Sequence, residues 1–512
     1  MMVNNKASLY VFGSLVVMVL LILLLWKPWE DEGISNETSL QIYCAAGMRR
    51  AVDEVVANYK KEYGVKVTVD SGPSGELLSR IKQVKGSLGD LYLPADSWYV
   101  DKLHEEGLAA ENLSVGFFEA VMAVPKGNPK NIHSLNDLFK EDVSVGFGNP
   151  QASVGRTAKK VLEVKGLWKK FEDLSKVFPS KVTFLGTVTE VALHVKKKTV
   201  DVGIVWKATA LQNGLEVIEL EVFKKERQPI ELTLLKKSKQ STAALQFARY
   251  LTARNRGVLS FEKHHFQAIE DGDVWVERPV LKLMYGSMLT PGLRQAIDKF
   301  KLREGVDFDE IPNGCGILVA QIKNGIVPEA YVACDDSFMN DVQDIFDSRV
   351  NLTNNFLVIV VRKGNPWRIK TLKDLKQDRL RVGLGHGINS AMGSLTKKML
   401  EKYGIYESLK QGGHMREFDS GHMLVNTFLA PKAAAMDVMI VYRSNVMSNP
   451  SNLEKCEVIE LNEAEAVATQ PYAIAKKGNH KHLMKRFFDV VTSQENSEIF
   501  KEAGFVWRHN KK

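Results

Sequence analysis

What this chain lacks narrows its chemistry. Its 512 residues hold four cysteines, Cys44, Cys315, Cys334 and Cys456. No two form a CxxC pair, so zinc-type ligand spacing is absent. So few cysteines in so long a chain predict no disulfide framework. Cys315 and Cys334 could meet in space, but separate reduced thiols are the expectation. There is no HExxH and no Walker loop. "GFGNPQ" at Gly146 and "GLGHGI" at Gly383 miss the G-x-G-x-x-G spacing, and "GPSGE" misses G-x-S-x-G because Glu76 ends it. The 11 histidines are scattered. His264-His265 near a helix end read as solvent-facing, and His386, in a loop, is the one cleft candidate. These absences exclude an enzyme of any recognisable class, and no metal or cofactor is expected. The 69 Lys+Arg and 61 Asp+Glu are interspersed, so the net charge of +8 is not a nucleic-acid footprint. It reads as a mild bias toward anions, or simply as a solvated surface.

What is present begins at the N-terminus. Ala7 to Trp26 is a run of 20 residues without a charge. At about 1.5 Å per residue it spans roughly 30 Å, one hydrocarbon core. The exit "KPWEDEG" carries neither an A-x-A site nor a lipobox cysteine, which predicts an uncleaved signal anchor. The long hydrophilic remainder is then expected outside the cytoplasm, on a single-pass protein of the cell membrane. No later segment is long and apolar enough to span again.

The remainder repeats itself. "LQIYCAAGMRRAVDEVVANYKKEYGVKV" from Leu40 answers "LKLMYGSMLTPGLRQAIDKFKLREGVDF" from Leu281, 241 residues on. "KGNP" at Lys126 recurs at Lys363, and "VDVGIVW" at Val200 answers "MDVMIVY" at Met436. An ordered series of this kind implies a duplicated unit. The expected organisation is anchor and tether over 1–39, one domain over 40–278 and a second over 279–512. The polar, proline-bearing run Glu270 to Pro279 reads as the junction. Within each copy strands and helices alternate, predicting an α/β fold of two lobes per unit with a mainly parallel sheet.

Ligands of such sheets sit where strands end and helices begin. Loops of that kind stand at Ala45 to Gly47, Ser74-Gly75 and Ser153 to Gly155. A helix N-terminus offers unpaired N–H groups, glycine allows close approach and serine adds a hydroxyl, which together suit a small anion. Equally, Ser74 alone could be a helix N-cap and Gly72-Pro73 a turn. Trp206 and Tyr442 follow buried strands and read either as core aromatics or as pocket walls.

The ordered motifs "AAGM", "GVKVTVDSGPSGELLSRI", "GDLYLPAD", "GNPQASVGRTAKKVL" and "DVGIVW" resemble the molybdate-binding periplasmic proteins of ABC importers, which are type II periplasmic binding proteins. The likeness covers nearly all of both copies. It implies two hinged α/β lobes that close over a tetrahedral oxyanion held by hydroxyls and backbone N–H groups. Carried over, it places the first-loop serine on Gly47 and the second-loop serine on Ser74, beside Gly75. It places the third loop on Ser153 and Val154, the next backbone donor on Val188, and the family tyrosine on Trp206. In the second copy Ser287 lies within one residue of the first-loop serine, Cys315 replaces the second-loop serine, Ser390 belongs to the third loop and Tyr442 matches the tyrosine. The function so implied is a tethered solute-binding protein that hands a molybdate- or tungstate-like oxyanion to an ABC permease. The substitutions at Gly47, Trp206 and Cys315 suit an alternative, a ligand-sensing or scaffold protein with degenerate binding domains.

Overall fold

A computed structural model describes residues 39–83, 89–388, 390–430 and 436–509. The predicted anchor Ala7–Trp26 and the tether that follows it lie outside the described residues. Among those residues, no helix is long and apolar enough to cross a membrane.

The duplication seen in sequence is a duplication of register. The strand Ser39–Ala45 pairs in parallel with Lys66–Gly72, ending with Ala45 opposite Gly72. Val280–Gly286 pairs in parallel with Asp307–Asn313, ending with Gly286 opposite Asn313. Each first strand leads through one short 3-10 turn into a 15-residue helix, Arg49–Tyr63 or Thr290–Glu304. In the first of these Val52, Val55 and Tyr59 recur at helical spacing and are buried. Both helices stop at a glycine in the left-handed region, Gly64 at φ 72° and Gly305 at φ 63°, whose N–H returns to the carbonyl four residues back.

Each unit has two lobes. The first-unit sheets run, in spatial order, Gln267–Ala268, Ala109–Phe118, Gln228–Leu235, Leu91–Leu93, Ser39–Ala45, Lys66–Gly72 in one lobe. The other lobe has Val182–Leu185, Val145–Gly148, Val202–Trp206, Ala120–Val124, Glu216–Ile218. The expectation of mainly parallel sheets is corrected here: both are mixed. Strands joined by crossover helices are parallel, but those that pass between lobes must return, and they pair antiparallel. In the second unit one 13-residue strand, Val350–Arg362, runs through both lobes; its first half pairs with Val467–Ile474 and its second with Val438–Tyr442. The first unit breaks the same path at Glu119, between Ala109–Phe118 and Ala120–Val124.

The run Glu270–Pro279 between the units is packed. Trp275 is buried among Tyr63 and Tyr250, and its indole N–H donates to the Tyr63 hydroxyl at 2.8 Å. Asp273 accepts from the backbone N–H of His482 and Leu483, 2.8 and 2.9 Å, at the start of the second-unit helix Lys481–Val491. Glu304 is wholly buried and bonds Arg486 at 2.9 Å, while its backbone carbonyl accepts from Arg249 of the first unit. Arg486 and Arg303 reach back to Glu111 of the first unit at 3.3 and 2.5 Å. Burial opposes the charge of Glu304, but Arg486, Arg303 and Arg249 outweigh it and hold the carboxyl below its ordinary range.

Candidate functional site

The interlobe clefts of the two units are built from equivalent loops and end differently. In the second unit four helices of nine or more residues, Thr290–Glu304, Cys315–Lys323, Ala391–Lys402 and Gly421–Leu429, begin at one cavity of about 490 Å³. Ser390 and Ser420 cap two of them, accepting from the N–H of Gly393 and Met423 at 3.4 and 3.2 Å. A hydroxyl that accepts in this way keeps its own hydrogen to donate. Among the described residues lining the cavity there is no lysine or arginine; the charged group is Asp419. Tyr442 stands at the end of the strand Val438–Tyr442, and its buried hydroxyl has no hydrogen-bond partner among the described residues. Burial, with a smaller effect from Asp335, pushes that hydroxyl well above its ordinary pKa, so it stays protonated and a donor.

Ser287 and Cys315 also line this cavity. Ser287 starts the 3-10 turn at the place held by Ala46 in the first unit, consistent with the one-residue displacement read from sequence. Cys315 is not a free thiol. It forms a disulfide with Cys334, which overturns the expectation of separate thiols. The two positions are neighbours because Ser74 and Ala95 are neighbours in the other unit: there the Ala95 N–H donates to Ser74 Oγ at 3.1 Å. The Cys334 N–H lies 3.0 Å from Cys315 Sγ, in the same arrangement. The histidine in the cavity wall is His422, not His386. Asn313, Ser420 and His422 lie outside the sequence expectation, although Ser420-Gly421, between the strand Met415–Phe418 and a helix, has the same loop signature as Ser74-Gly75.

In the first unit the two lobes touch. Ser153, at the start of the helix Ser153–Val164, donates to the Ala95 carbonyl of the opposite lobe at 2.7 Å. One turn on, Arg156 bonds Asp96 at 2.7 Å and lies over the rings of Trp98 and Tyr99. Burial works against the guanidinium charge, yet Asp96 raises its pKa above the ordinary value. The structure places several of the expected ligand positions in bonded or packed surroundings. The one donor of Ser153 is engaged with Ala95. Val154 is 2% exposed and packs against Gly148. Trp206 is 2% exposed and stacks on Phe118 at 5.0 Å, a core aromatic. Ser74 is not the helix cap either: the Pro73 carbonyl receives Glu76 and Leu77, while the Ser74 side chain ties its loop to Ala95. Gly75 abuts the Tyr99 ring. Val188 is half-buried behind the Thr187–Glu190 capping box, and Gly47 is half-buried with open space where a Cβ would point.

A family model described as bacterial extracellular solute-binding protein matches twice, over residues 40–267 and 281–506. The chain belongs to this family, with two copies in tandem. Solute-binding proteins of this kind bind and do not catalyse. Among curated relatives, a "Putative binding protein" of Haemophilus influenzae is 31% identical over 172 residues, 33% of this chain and 67% of its own. The molybdate-binding protein ModA of Escherichia coli is 24% identical over 247 residues, 46% of this chain and 92% of its own. Among solved structures, the "substrate binding domain of putative molybdenum ABC transporter from Clostridium difficile" is 26% identical with a TM-score of 0.38, covering 45% of this solute-binding protein and 99% of that chain.

Proposed function

We propose that this is a membrane-tethered extracytoplasmic solute-binding protein whose second unit takes a small oxyanion such as molybdate or tungstate for an ABC importer. The observation that carries the reading is the convergence of four helix N-termini and several hydroxyls on one cavity that, among the described residues, is lined by no lysine or arginine. Such a site neutralises an anion with fixed dipoles and hydrogen bonds. Ser287, Ser390, Ser420 and Tyr442 supply hydroxyls; Cys315 and Gly421 open two of the helices, where backbone N–H groups lack intrahelical acceptors. The cavity is larger than a tetrahedral anion, so closure about the hinge strand Val350–Arg362 accompanies binding. In the first unit, the contacts Ser153–Ala95 and Arg156–Asp96 act as a latch, and Ser74 and Gly47 are secondary candidates.

In this reading the membrane anchor is the apolar run Ala7–Trp26. Delivery to a permease is part of the same reading, and the Cys315–Cys334 disulfide suits an oxidising, extracytoplasmic setting. Titration calorimetry with molybdate, tungstate, sulfate and phosphate tests the ligand. A binder at a hundred times its Kd should raise stability by about 2.7 kcal/mol. Because the donors are neutral, affinity should change little with salt. Silence toward all four anions would refute the oxyanion reading. Sequencing the N-terminus of the membrane-bound protein tests the tether, and a mature chain beginning near Glu30 would refute it.

A further inference from the structure

The first unit holds a second cavity, about 580 Å³, where its two lobes meet at the hinge. None of the cleft positions discussed above lines it. Phe117, Phe118 and Phe266 give it aromatic walls. Its charges do not all cancel. Lys207 lies 2.5 Å from Glu219, and Lys224 is 3.0 and 3.6 Å from Glu221 and Glu219, so these groups satisfy one another. Two remain. Glu119, in the break of the hinge strand, is 8% exposed, and neither carboxylate oxygen has a hydrogen-bond partner among the described residues; one, Oε1, is fully enclosed. Arg227 lies over the Phe117 ring at 4.1 Å and has no carboxylate within ion-pair distance among the described residues.

A buried carboxylate without a donor is costly, and a guanidinium held on a ring presents a planar fork suited to a carboxylate. The fold does not demand either charge. Ala120 and Leu357 are equivalent, opposite Trp206 and Tyr442, so Phe356 takes the place of Glu119. By the same register Val467 takes the place of Arg227. Both charges are thus replaced together by apolar residues in the second unit.

We propose that the hinge cavity of the first unit binds a small zwitterion, an α-amino acid with an apolar side chain, its ammonium at Glu119 and its carboxylate at Arg227. The aromatic walls take the side chain. A ligand there bridges both lobes, so it holds the first unit in the geometry that the Arg156–Asp96 contact also favours. This site is independent of the oxyanion reading for the second unit.

Titration calorimetry on the full chain, with L-phenylalanine and L-leucine as probes, tests it. At least one should bind, and for L-phenylalanine the loss of either charge, in 3-phenylpropionate or 2-phenylethylamine, should weaken binding roughly tenfold or more. Glu119→Gln should abolish the advantage conferred by the ammonium, and Arg227→Met that conferred by the carboxylate. Glu119→Gln is near-isosteric and Arg227→Met keeps only an unbranched apolar stem, so a retained melting transition checks folding of both. Absence of heat with both amino acids at millimolar concentration would overturn the proposal. So would affinities unmoved by either substitution, or binding lost instead in Tyr442→Phe, which would move the ligand to the second cleft.

Discussion

The two clefts use equivalent loops, yet one is spanned by an ion pair and the other is an open cavity. The difference resides in a few side chains. Aligning Gly155 with Gly393, each pressed against the loop before its helix, puts Ser394 where Arg156 stands. Asp335 answers Asp96, and both cap the following helix through its second N–H. The acid is therefore kept in both units and the bridging cation in one.

The comparison is broken most strongly through the second cleft's disulfide. The bonded cysteines are separated by 19 positions, so removing the link with Cys315→Ser and Cys334→Ala should cost about 3 kcal/mol by denaturant unfolding. The same variant restores a serine at the second loop, so calorimetry would show whether the lost staple or the gained hydroxyl governs oxyanion affinity. Next comes Tyr442→Phe. Loss of a hydrogen bond to a charged ligand should weaken molybdate binding by about 1.5–3 kcal/mol, roughly tenfold to a hundredfold. Ser74→Ala in the first unit should leave that affinity unchanged; a comparable loss there would relocate the site.

Arg156→Ala should cost about 1–3 kcal/mol, because Asp96 stays buried without its cation. Hydrogen exchange should then rise at Ala95 and along the helix Ser153–Val164, and unchanged exchange would mean that the latch does not hold the lobes. The reciprocal graft, Ser394→Arg, should lower molybdate affinity by drawing the second cleft shut. The smallest effect belongs to Gly47→Ser, which returns the family hydroxyl to open space: stability should shift by no more than about 0.5 kcal/mol.

The duplicated fold was legible because its signals are local and ordered. "KGNP" is an example. In both units its glycine and asparagine take positive φ, 85° and 44° at Gly127 and Asn128, 80° and 42° at Gly364 and Asn365. Each glycine N–H is then received by a glutamate, Glu216 or Glu457, at 2.8 Å. The sense of the sheets was less legible, since return strands such as Gln228–Leu235 carry no mark of direction in their residues. The cleft was legible as a set of loops but not residue by residue. Nothing near Cys315 or Cys334 announces their pairing; it follows from two loops meeting in space, as Ser74 and Ala95 do. The Arg156–Asp96 contact likewise joins residues 60 apart from opposite lobes. Trp206 was ambiguous because a strand-end aromatic packs inward or outward according to its neighbour, here Phe118.

Glu304, enclosed between arginines of both units, bears on how the chain responds to heat. If one unit unfolded alone, Arg249 and Glu111 would part from Glu304 and Arg486, and Asp273 would leave the end of its helix. Each unit therefore draws part of its stability from its neighbour's being folded. Scanning calorimetry of the full chain should show one endotherm whose van't Hoff and calorimetric enthalpies agree, not two separated peaks. Ion hydration also becomes less favourable as temperature rises, so a seam made of charges loosens less on warming than its polarity suggests.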